Sequence, residues 1–454
     1  MKRSAALIFN LLLTITICHG QDSMTDLARH FLSCLQGNFA DYTKSGKMKW
    51  NEIEAKRTVV WQAWADANRA FEEDKLPALR PLTNTDTLRW ALPDSLEPNA
   101  VMPFYYGVKG ENRPDDGLPL FWYIHGSGPK KHEWDTGYII CSRFDDAPSV
   151  YFIPQIPNEG KYYRWWQRAK LFAWERLLRQ SLLNPEIDAK RIYLFGISEG
   201  GYGSQRLASY YADYLAGAGP MAGGEIPSTS PAENCGHIGF SLLTGAEDYM
   251  FGRDLLTART HAIFDSLELS HPGEYRHRIE LIADRGHSID YTPTTPWLSQ
   301  FRRTVNLKHF IWEDFPMDGQ YRRGFYNIAV TERDTTGGNE RTRYEMTIKD
   351  NTVTLTVDRV TYEITEREPR WNIPIKHNKY YEQADRGRFT LYLSEEMINV
   401  NKKVKVNVNG KEVFHGKVKP DSQHLINSCA TFHDPLRLYP IGIEIELHPS
   451  FYPF

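Results

Sequence analysis

Short apolar runs alternate with longer helical patterns between Pro81 and about Phe310, and this alternation constrains the fold more than any other feature. Apolar runs bounded by glycine, proline or polar clusters are typical of buried strands. These runs are "LPLFWYIHG", "SVYFIPQIP", "RIYLFGIS", "YLAGAGPMAGG", "IGFSLLTGAED" and "YRHRIELIADRGH". Strands that alternate with helices predict an α/β domain, over residues 95–315, with a mostly parallel sheet flanked by helices.

The regions on either side of this domain have different periodicities. In residues 21–94, apolar residues recur every three or four positions, as in "MTDLARHFLSCLQG", which predicts a helical N-terminal lead-in. After about Phe315, polar and apolar residues alternate, as in "NTVTLTVDRVTYEITE" and "IGIEIEL". The Asn-Gly of "VNVNGKEVFHG" separates two such runs and predicts a hairpin. Residues 316–454 are therefore predicted to form a C-terminal β-sandwich-like domain.

The first residues have the pattern of a secretory signal peptide. Lys2 and Arg3 precede an apolar stretch from Ala5 to Ile17, which is short for a bilayer span. Small residues near position 20 favour cleavage before Gln21, so residues 1–20 are predicted to be a signal peptide and the protein to be secreted or periplasmic. A lipid anchor on Cys18 is the weaker alternative. No later segment is apolar for long enough to be a transmembrane helix.

Charge and cysteine content exclude several classes of function. The 54 basic and 57 acidic residues give a formal net charge of -3, so no basic field is available to bind nucleic acid. The cysteines after position 20 are widely spaced and form no C-x-x-C pair, which argues against a zinc site: Cys34, Cys141, Cys235 and Cys429. One or two disulfides and four buried thiols both remain open. Neither a metal nor a cofactor is expected, and the oligomeric state is not predicted.

The segment "RIYLFGISEGGYGSQRLA" places Ser198 in a Gly-x-Ser-x-Gly motif between a strand-like run and a helical pattern. This strand, sharp turn and helix is the context in which such a serine is a nucleophile. Gly196 and Gly200 are needed because Cβ atoms would collide with the neighbouring elements. A structural turn is the competing interpretation. Since a serine hydroxyl is a weak nucleophile near neutral pH, the prediction also requires a base.

Two downstream strands end in residues suited to assist Ser198. The run "LLTGAED" leads to Asp248, and "LIADRGH" leads to His287. The order Ser, Asp, His predicts that His287 is the general base and that Asp248 orients its imidazole. The lesser candidates are Glu247, Asp254 and Asp284 for the acid, and His261, His271 and His277 for the base.

Upstream, the strand "FWYIHGSG" ends in His125-Gly126-Ser127-Gly128, a plausible oxyanion loop. The backbone N–H of Ser127 and that of Glu199, just after the nucleophile, are the predicted oxyanion donors. Aromatic residues that follow the strands are predicted to line a cleft and bind substrate, although core packing is the commoner role of such residues: Trp134, Trp165 and Trp166.

These motifs resemble those of α/β-hydrolases of the serine esterase type. Residues 95–312, with "RIYLFGISEGG" as the elbow, resemble the feruloyl esterase, acetylxylan esterase and polyhydroxybutyrate depolymerase-like group. The segment "LYLSEEMINVNKKVKVNVNGKEVFHGKV" resembles the β domain of some secreted bacterial members. The resemblance implies a secreted hydrolase of carboxylic esters, such as acetyl or feruloyl esters on glycans. A prolyl oligopeptidase-like peptidase, suggested by "SEGGY", and a non-catalytic glycan-binding protein are the alternatives.

Overall fold

The computed structural model describes residues 24–334 and 340–448. The predicted signal peptide lies outside these residues. Within the described ranges, no helix has the length and hydropathy that a membrane span requires. The four described cysteines are all buried, and no disulfide links them.

The α-helices fall into an N-terminal pair, a set interspersed with the strands of the first sheet, and one helix near the C-terminus. In chain order they are α1 (Asp26–Leu35), α2 (Ile53–Ala70), α3 (Lys130–Arg143), α4 (Arg168–Leu183), α5 (Glu199–Tyr211), α6 (Arg253–Ser270), α7 (Thr294–Leu298) and α8 (Ser422–Phe432).

An eight-stranded sheet has the order β1-β2-β4-β3-β5-β6-β7-β8. Its strands are β1 (Leu88–Ala91), β2 (Val101–Lys109), β3 (Leu118–Ile124), β4 (Ser149–Pro154), β5 (Ile187–Ile197), β6 (Gly217–Met221), β7 (Gly239–Gly245) and β8 (His277–Ile282). The strands from β4 to β8 in this order are parallel, whereas β1 and β2 are antiparallel at one side. The predicted fold class, a mostly parallel sheet flanked by helices, is confirmed.

The central strands are buried along their whole length because helices cover both faces of the sheet. On one face, Phe121 and Tyr123 of β3 pack with Trp134 of α3 in the same core cluster. On the other face, the ring of Trp122 lies 4.6 Å from that of Trp174 in α4. The continuous apolar runs in the sequence therefore follow from burial on two sides.

The structure differs from the sequence-based expectation at the start of this sheet. Strand β1 lies inside the segment assigned to the helical lead-in, and β2 was not among the predicted strands. Strand β2 contains Pro103 and Gly107, which weaken a strand pattern. Strand β5 begins at Ile187, within the segment "NPEIDAKR", although the Asn-Pro at its start is typical of a turn.

Two further sheets follow. Their strands are β9 (His309–Asp314), β10 (Gly324–Phe325), β11 (Ile328–Glu332), β12 (Thr342–Lys349), β13 (Thr352–Glu368), β14 (Ile373–Gln383), β15 (Gly387–Leu393), β16 (Val404–Val408), β17 (Lys411–Gly416) and β18 (Ile441–Leu447). One sheet has the order β10-β11-β15-β18, and the other β17-β16-β13-β12-β9 with β14 paired to β13. Most pairs are antiparallel, but β13 and β16 are parallel.

Side chains of these two sheets contact each other, as in a sandwich. Trp312 of β9 stacks on Phe325 of β10 at 5.4 Å, and Tyr344 of β12 lies edge-on to Phe389 of β15 at 5.4 Å. The predicted boundary at residue 315 is wrong by one strand, because β9 pairs with β12 rather than with the parallel sheet. The buried run "HFIWED" resembles the preceding strands, which explains the misplacement.

A separate compact unit combines residues 24–73 with residues 419–442. Within it, the ring of Trp64 in α2 lies 5.3 Å from Phe31 of α1 and stacks on His433 at 4.8 Å, just after α8. The helix α8 and its grouping with the N-terminal helices were not predicted, since the sequence placed the whole segment 316–454 in the β domain.

Candidate active site

Ser198 lies at a sharp turn between the end of β5 and the start of α5. Its backbone has φ 57° and ψ -114°, a region that a residue with a Cβ rarely adopts. Its N–H donates to the carbonyl of Met221 at 2.9 Å, and its own carbonyl accepts from Tyr202 at 3.0 Å, which begins the helix. The turn therefore places the Ser198 hydroxyl above the carboxyl end of the sheet.

The glycines of the motif are required by close backbone contacts. A Cβ on Gly196 would lie 2.5 Å from the carbonyl oxygen of Gly200 and 2.6 Å from that of Ile124. A Cβ on Gly200 would collide with the same Ile124 carbonyl. The motif requires glycine at these two positions because β3, β5 and α5 approach each other too closely for a Cβ atom.

His287 and Asp248 meet Ser198 at this edge of the sheet. The Ser198 hydroxyl lies 3.0 Å from Nε2 of His287, and Nδ1 of the same ring lies 2.6 Å from Oδ2 of Asp248. The loops after β7 and β8 are held together by a hydrogen bond from Glu247 N–H to the carbonyl of Arg285 at 2.8 Å. The structure thus joins the predicted nucleophile, base and acid in one chain of hydrogen bonds.

Asp248 is buried and has two cationic or hydrogen-bonding partners. Besides His287, the guanidinium of Arg253 donates to Oδ1 of Asp248 at 2.8 Å. Burial alone would raise the pKa of Asp248, but the hydrogen bond from His287 and the charge of Arg253 outweigh it and hold the pKa below its ordinary value. The carboxylate therefore stays ionised, and the partner of His287 is Asp248 rather than Glu247, Asp254 or Asp284.

The loop after β3 lies directly beside the nucleophile. A Cβ built on Gly126 would be 3.3 Å from Cβ of Ser198. The carbonyl oxygen of Gly126 lies 2.7 Å from Nδ1 of His125 and accepts from the hydroxyl of Tyr163 at 2.9 Å. Because the carbonyl and the next N–H of a trans peptide point in opposite directions, these bonds also fix the direction of the Ser127 N–H.

His125 is a neutral, buried part of this support. Burial lowers its pKa to about 4, so the ring is uncharged at neutral pH. Its Nε2 accepts a hydrogen bond from the N–H of Ile156 at 3.0 Å, which leaves the proton on Nδ1, facing Gly126. The sequence motif located the loop but gave no sign of the role of the His125 ring or of Tyr163, which is 38 residues away.

Glu199, the other residue predicted to supply an oxyanion donor, is the first residue of α5. Its N–H therefore belongs to the first turn, where the helix itself provides no acceptor. Burial raises the pKa of its side chain to about 7, against the opposing charge of Arg164, whose Nη1 is 3.3 Å away. A second carboxyl, Glu133 of α3, lies against Gly126 and Gly128, and burial raises its pKa as well.

The prediction that Trp134 and Trp165 bind substrate is wrong, because both indoles are buried in the core. Trp134 stacks on Tyr105 with ring centroids 4.0 Å apart. The indole N–H of Trp165 donates to the carbonyl of His125 at 2.9 Å, so this residue supports the loop after β3 from inside. An aromatic residue after a strand can pack inward as readily as it can line a cleft, and the sequence does not distinguish the two.

Trp166 is partly exposed and lies between two arginines. Its ring centroid is 4.0 Å from the guanidinium carbon of Arg206 and 6.0 Å from that of Arg164, the partner of Glu199. Its predicted role as a substrate-binding residue stays a prediction. The other histidine candidates, His261, His271 and His277, do not take part in the Ser198 hydrogen bonds.

Comparison with known proteins gives distant structural neighbours only. No protein-family model matches the chain, and no curated protein matches it in sequence. A thermostable esterase is 20% identical with a TM-score of 0.38, and the match covers 48% of this chain and 64% of that one, less than two thirds of its length. The BES protein from Bacillus cereus is 13% identical with a TM-score of 0.38, and the match covers 49% of this chain and 99% of that one. A ferulic acid esterase is 13% identical with a TM-score of 0.35, and the match covers 47% of this chain and 96% of that one.

The strand order, the strained serine turn and the positions of the three loops are those of one known architecture. The chain has an α/β-hydrolase fold. Extra β-sheets follow the hydrolase sheet in the C-terminal half. The neighbours are too distant to transfer an activity, so the function is inferred from the site itself.

Proposed function

We propose that the protein is a serine hydrolase that cleaves carboxylic esters through an acyl-enzyme. The observation that carries this proposal is the unbroken chain from Ser198 to His287 at 3.0 Å and from His287 to Asp248 at 2.6 Å, on a strained turn with φ 57°. Strain of this kind costs about 1–3 kcal/mol and persists where the surrounding structure requires it. A serine that only closes a turn needs neither the base nor the acid.

In the first half of the reaction, the Ser198 hydroxyl attacks the ester carbonyl carbon while its proton passes to Nε2 of His287. Ionised Asp248 stabilises the resulting imidazolium through the 2.6 Å contact to Nδ1. The N–H groups of Ser127 and Glu199 donate to the oxyanion of the tetrahedral intermediate. His287 then gives its proton to the leaving alcohol oxygen, and the acyl group remains on Ser198.

The second half repeats these steps with water. His287 takes a proton from a water molecule, whose oxygen attacks the acyl carbon, and the same two N–H groups stabilise the new oxyanion. Ser198 leaves with the proton that His287 returns, and the carboxylic acid is released. The side chain of His287 is 46% exposed, so water can reach the base without a large movement of the protein.

The surface beside Asp248 supports a substrate with an aromatic or other apolar group. Tyr249, Met250 and Phe251 follow Asp248 in the chain and are all exposed, with Tyr249 60% accessible. Phe251 also contacts exposed Trp371 of the β domain, with ring centroids 4.7 Å apart. Rings of this kind stack on planar or ring-shaped ligands, so we propose feruloyl or acetyl esters carried on glycans as the substrate class.

The first test is labelling of the purified protein by a fluorophosphonate probe, which reacts only with an activated serine. We expect one labelled site in the parent protein and complete loss of labelling in Ser198→Ala. The variant Ser142→Ala changes an exposed serine on α3 and should label like the parent. Folded parent protein that resists the probe would rule out the proposed mechanism.

The second test compares turnover of p-nitrophenyl acetate, a feruloyl ester and an aminoacyl anilide. Esterase function predicts turnover of the esters and little of the anilide. Faster turnover of the anilide would assign the same Ser198 site to a peptidase. Secretion stays a prediction from residues 1–20, and fractionation of expressing cells with an antibody against the mature chain would test it.

A further inference from the structure

A second cluster of potential ligands lies on α6 and β8. It consists of His261 and Asp265, one helical turn apart on α6, and His277, the first residue of β8. Each residue offers one ligand atom, and the three atoms lie within 4.8 Å of one another. None of the three belongs to the ester-hydrolysis site described above.

The distances within this cluster match those between ligands of one metal ion. Nε2 of His277 lies 3.1 Å from Oδ1 of Asp265, and Nε2 of His261 lies 3.6 Å from the same oxygen. Zinc binds nitrogen and oxygen ligands at about 2.0–2.2 Å, so neighbouring ligands of a tetrahedral ion are about 3.3 Å apart. The two observed distances lie on either side of that value.

The orientation of His277 is fixed by the backbone. Its Nδ1 lies 2.8 Å from the carbonyl oxygen of Tyr275, which identifies Nδ1 as the protonated nitrogen. The other ring nitrogen, Nε2, faces the carboxylate of Asp265 at 3.1 Å, and a metal ion bound here would take the place of the proton in that contact. Binding of the second ring nitrogen to a carbonyl is also the usual support of a histidine that ligates a metal.

The surroundings add negative charge and space. Glu268 approaches His277 at 3.4 Å from Nδ1, and Glu280 lines an adjacent open cavity of about 450 Å³ together with His261 and Asp265. This cavity is lined by none of the residues of the Ser198 site. It leaves room for a water molecule to complete the coordination of an ion held by three protein ligands.

A comparable cluster elsewhere lacks these properties. His237, Glu274 and His309 also bring their ligand atoms close together, but Nε2 of His237 is 2.8 Å from the carbonyl of His309 and acts as a donor. His309 lies between Glu274 and Glu345, whose hydrogen bonds raise its pKa to about 9. Both nitrogens of its ring are therefore protonated at neutral pH, and the ring carries a positive charge. Ion pairing accounts for this cluster without a metal.

We propose that His261, Asp265 and His277 bind one divalent transition-metal ion, with Zn²⁺ as the favoured ion because its preferred ligands and distances match the cluster. The ion joins α6 to β8 at a site separate from Ser198. Its expected effect is stabilisation of this part of the sheet, since a ligand that binds only the folded protein shifts the equilibrium towards it.

The test is equilibrium dialysis of chelator-treated, full-length protein against micromolar ZnCl₂, with zinc measured by atomic emission. We expect one Zn²⁺ per chain and, with Co²⁺ in its place, the visible absorption bands of a tetrahedral site. His261→Ala and Asp265→Asn should each weaken binding about 10–100-fold. Both side chains are substantially exposed, at 47% and 61%, so neither change should prevent folding.

Two variants serve as controls. His415→Ala removes an exposed histidine that has a single carboxylate neighbour, Glu412, at 3.6 Å, and should bind zinc like the parent. His309→Gln removes the other cluster and should also bind zinc like the parent. The proposal is overturned if the parent binds no zinc, if His261→Ala and Asp265→Asn bind as tightly as the parent, or if only His309→Gln loses the ion.

Discussion

The carboxyl edge of the parallel sheet and the hairpin formed by β13 and β14 differ in how closely their backbones approach their neighbours. At the sheet edge, a Cβ on Gly200 would collide with the carbonyl of Ile124, and one on Gly245 with the carbonyl of Gly286. On the hairpin, Tyr380 and Tyr381 are about half exposed. At the sheet edge, close backbone contacts fix the positions of the atoms. On the hairpin, exposed side chains can be substituted without disturbing the backbone.

The two regions nevertheless meet beside the proposed active site. Trp371, in the turn of the hairpin, contacts Phe251, which has a left-handed backbone with φ 59°. Phe251 also lies 5.3 Å from the guanidinium carbon of Arg253, the partner of Asp248. The comparison therefore predicts that changes at the sheet edge abolish chemistry or folding, and that changes in the hairpin alter substrate binding.

The largest effect is expected from Asp248→Asn. An amide cannot stabilise the imidazolium of His287 and favours the wrong tautomer, so kcat for ester hydrolysis should fall by about 10⁴-fold. Glu247→Gln changes an exposed neighbour and should retain activity. Steady-state kinetics with p-nitrophenyl acetate measure both. Near-parental kcat in Asp248→Asn would exclude Asp248 as the acid.

Gly200→Ala should lower the free energy of unfolding by about 3 kcal/mol, because the new methyl group collides with backbone rather than with a flexible side chain. The matched control is Gly286→Ala, where an added Cβ meets nothing within 4 Å. Its stability should change by less than about 0.5 kcal/mol. Thermal and urea unfolding would compare the pair. Equal stabilities would mean that the sheet edge is less tightly packed than described.

Tyr163→Phe should reduce kcat by about tenfold with little change in KM. The variant removes one of the two hydrogen bonds to the Gly126 carbonyl, so the neighbouring Ser127 N–H is held less firmly towards the oxyanion. The rate of fluorophosphonate labelling should fall in parallel, because that reaction uses the same N–H groups. Tyr162→Phe is the control. An unchanged labelling rate in Tyr163→Phe would leave this tyrosine a purely structural role.

The parent protein should lose activity as the pH rises through about 7, because burial raises the pKa of the Glu199 carboxyl to about 7. Glu199→Gln should not show this loss. Below that pH the side chain is neutral, and above it the residue whose N–H is the proposed oxyanion donor carries a negative charge. The parent should therefore lose kcat/KM severalfold between pH 6 and 8 relative to the variant. Parallel pH profiles of the two proteins would contradict this assignment.

The same group links stability to pH. Its pKa in the folded protein, about 7, is above the ordinary value of 4.5, so the folded state binds the proton more tightly than the unfolded state. The parent should therefore lose stability relative to Glu199→Gln as the pH rises from 4.5 to 7, by about 3 kcal/mol in total. Unfolding midpoints of both proteins across this range measure the effect.

The smallest effect is expected in the hairpin. Trp371→Ala should raise KM for a feruloyl ester severalfold, because the exposed ring contacts Phe251 beside the site, and should leave kcat for p-nitrophenyl acetate unchanged. Tyr380→Ala alters another exposed ring of the same hairpin and should change neither constant. Identical KM values in all three proteins would confine the β domain to a structural role.

The parts of the site that the sequence predicted are those set by short-range pattern. The turn at Ser198, the glycine-flanked His287 and the His125-Gly126 loop each need only a few neighbouring residues to be recognised. The parallel strands were equally visible, because burial on both faces requires continuous apolar runs.

The parts that the sequence missed depend on contacts between distant segments. Tyr163 reaches the Gly126 carbonyl from 37 residues away, and Arg253 acts only because the chain turns back at Phe251. Trp134 and Trp165 are aromatic residues of the kind that line clefts, yet their side chains pack in the core. The direction in which such a side chain points depends on how its part of the chain packs on the sheet. The sequence did not predict that β9 pairs with β12, because β9 has the same apolar pattern as the strands of the parallel sheet before it.

The compact unit formed by residues 24–73 and 419–442 has a consequence for synthesis of the chain. The N-terminal helices are synthesised first, but Trp64 acquires its neighbour His433 only after residue 433 has been translated. Until then Trp64 and Phe31 lack part of the core that buries them in the finished fold. Chaperones that shield apolar helices during translation are therefore expected to engage the first segment.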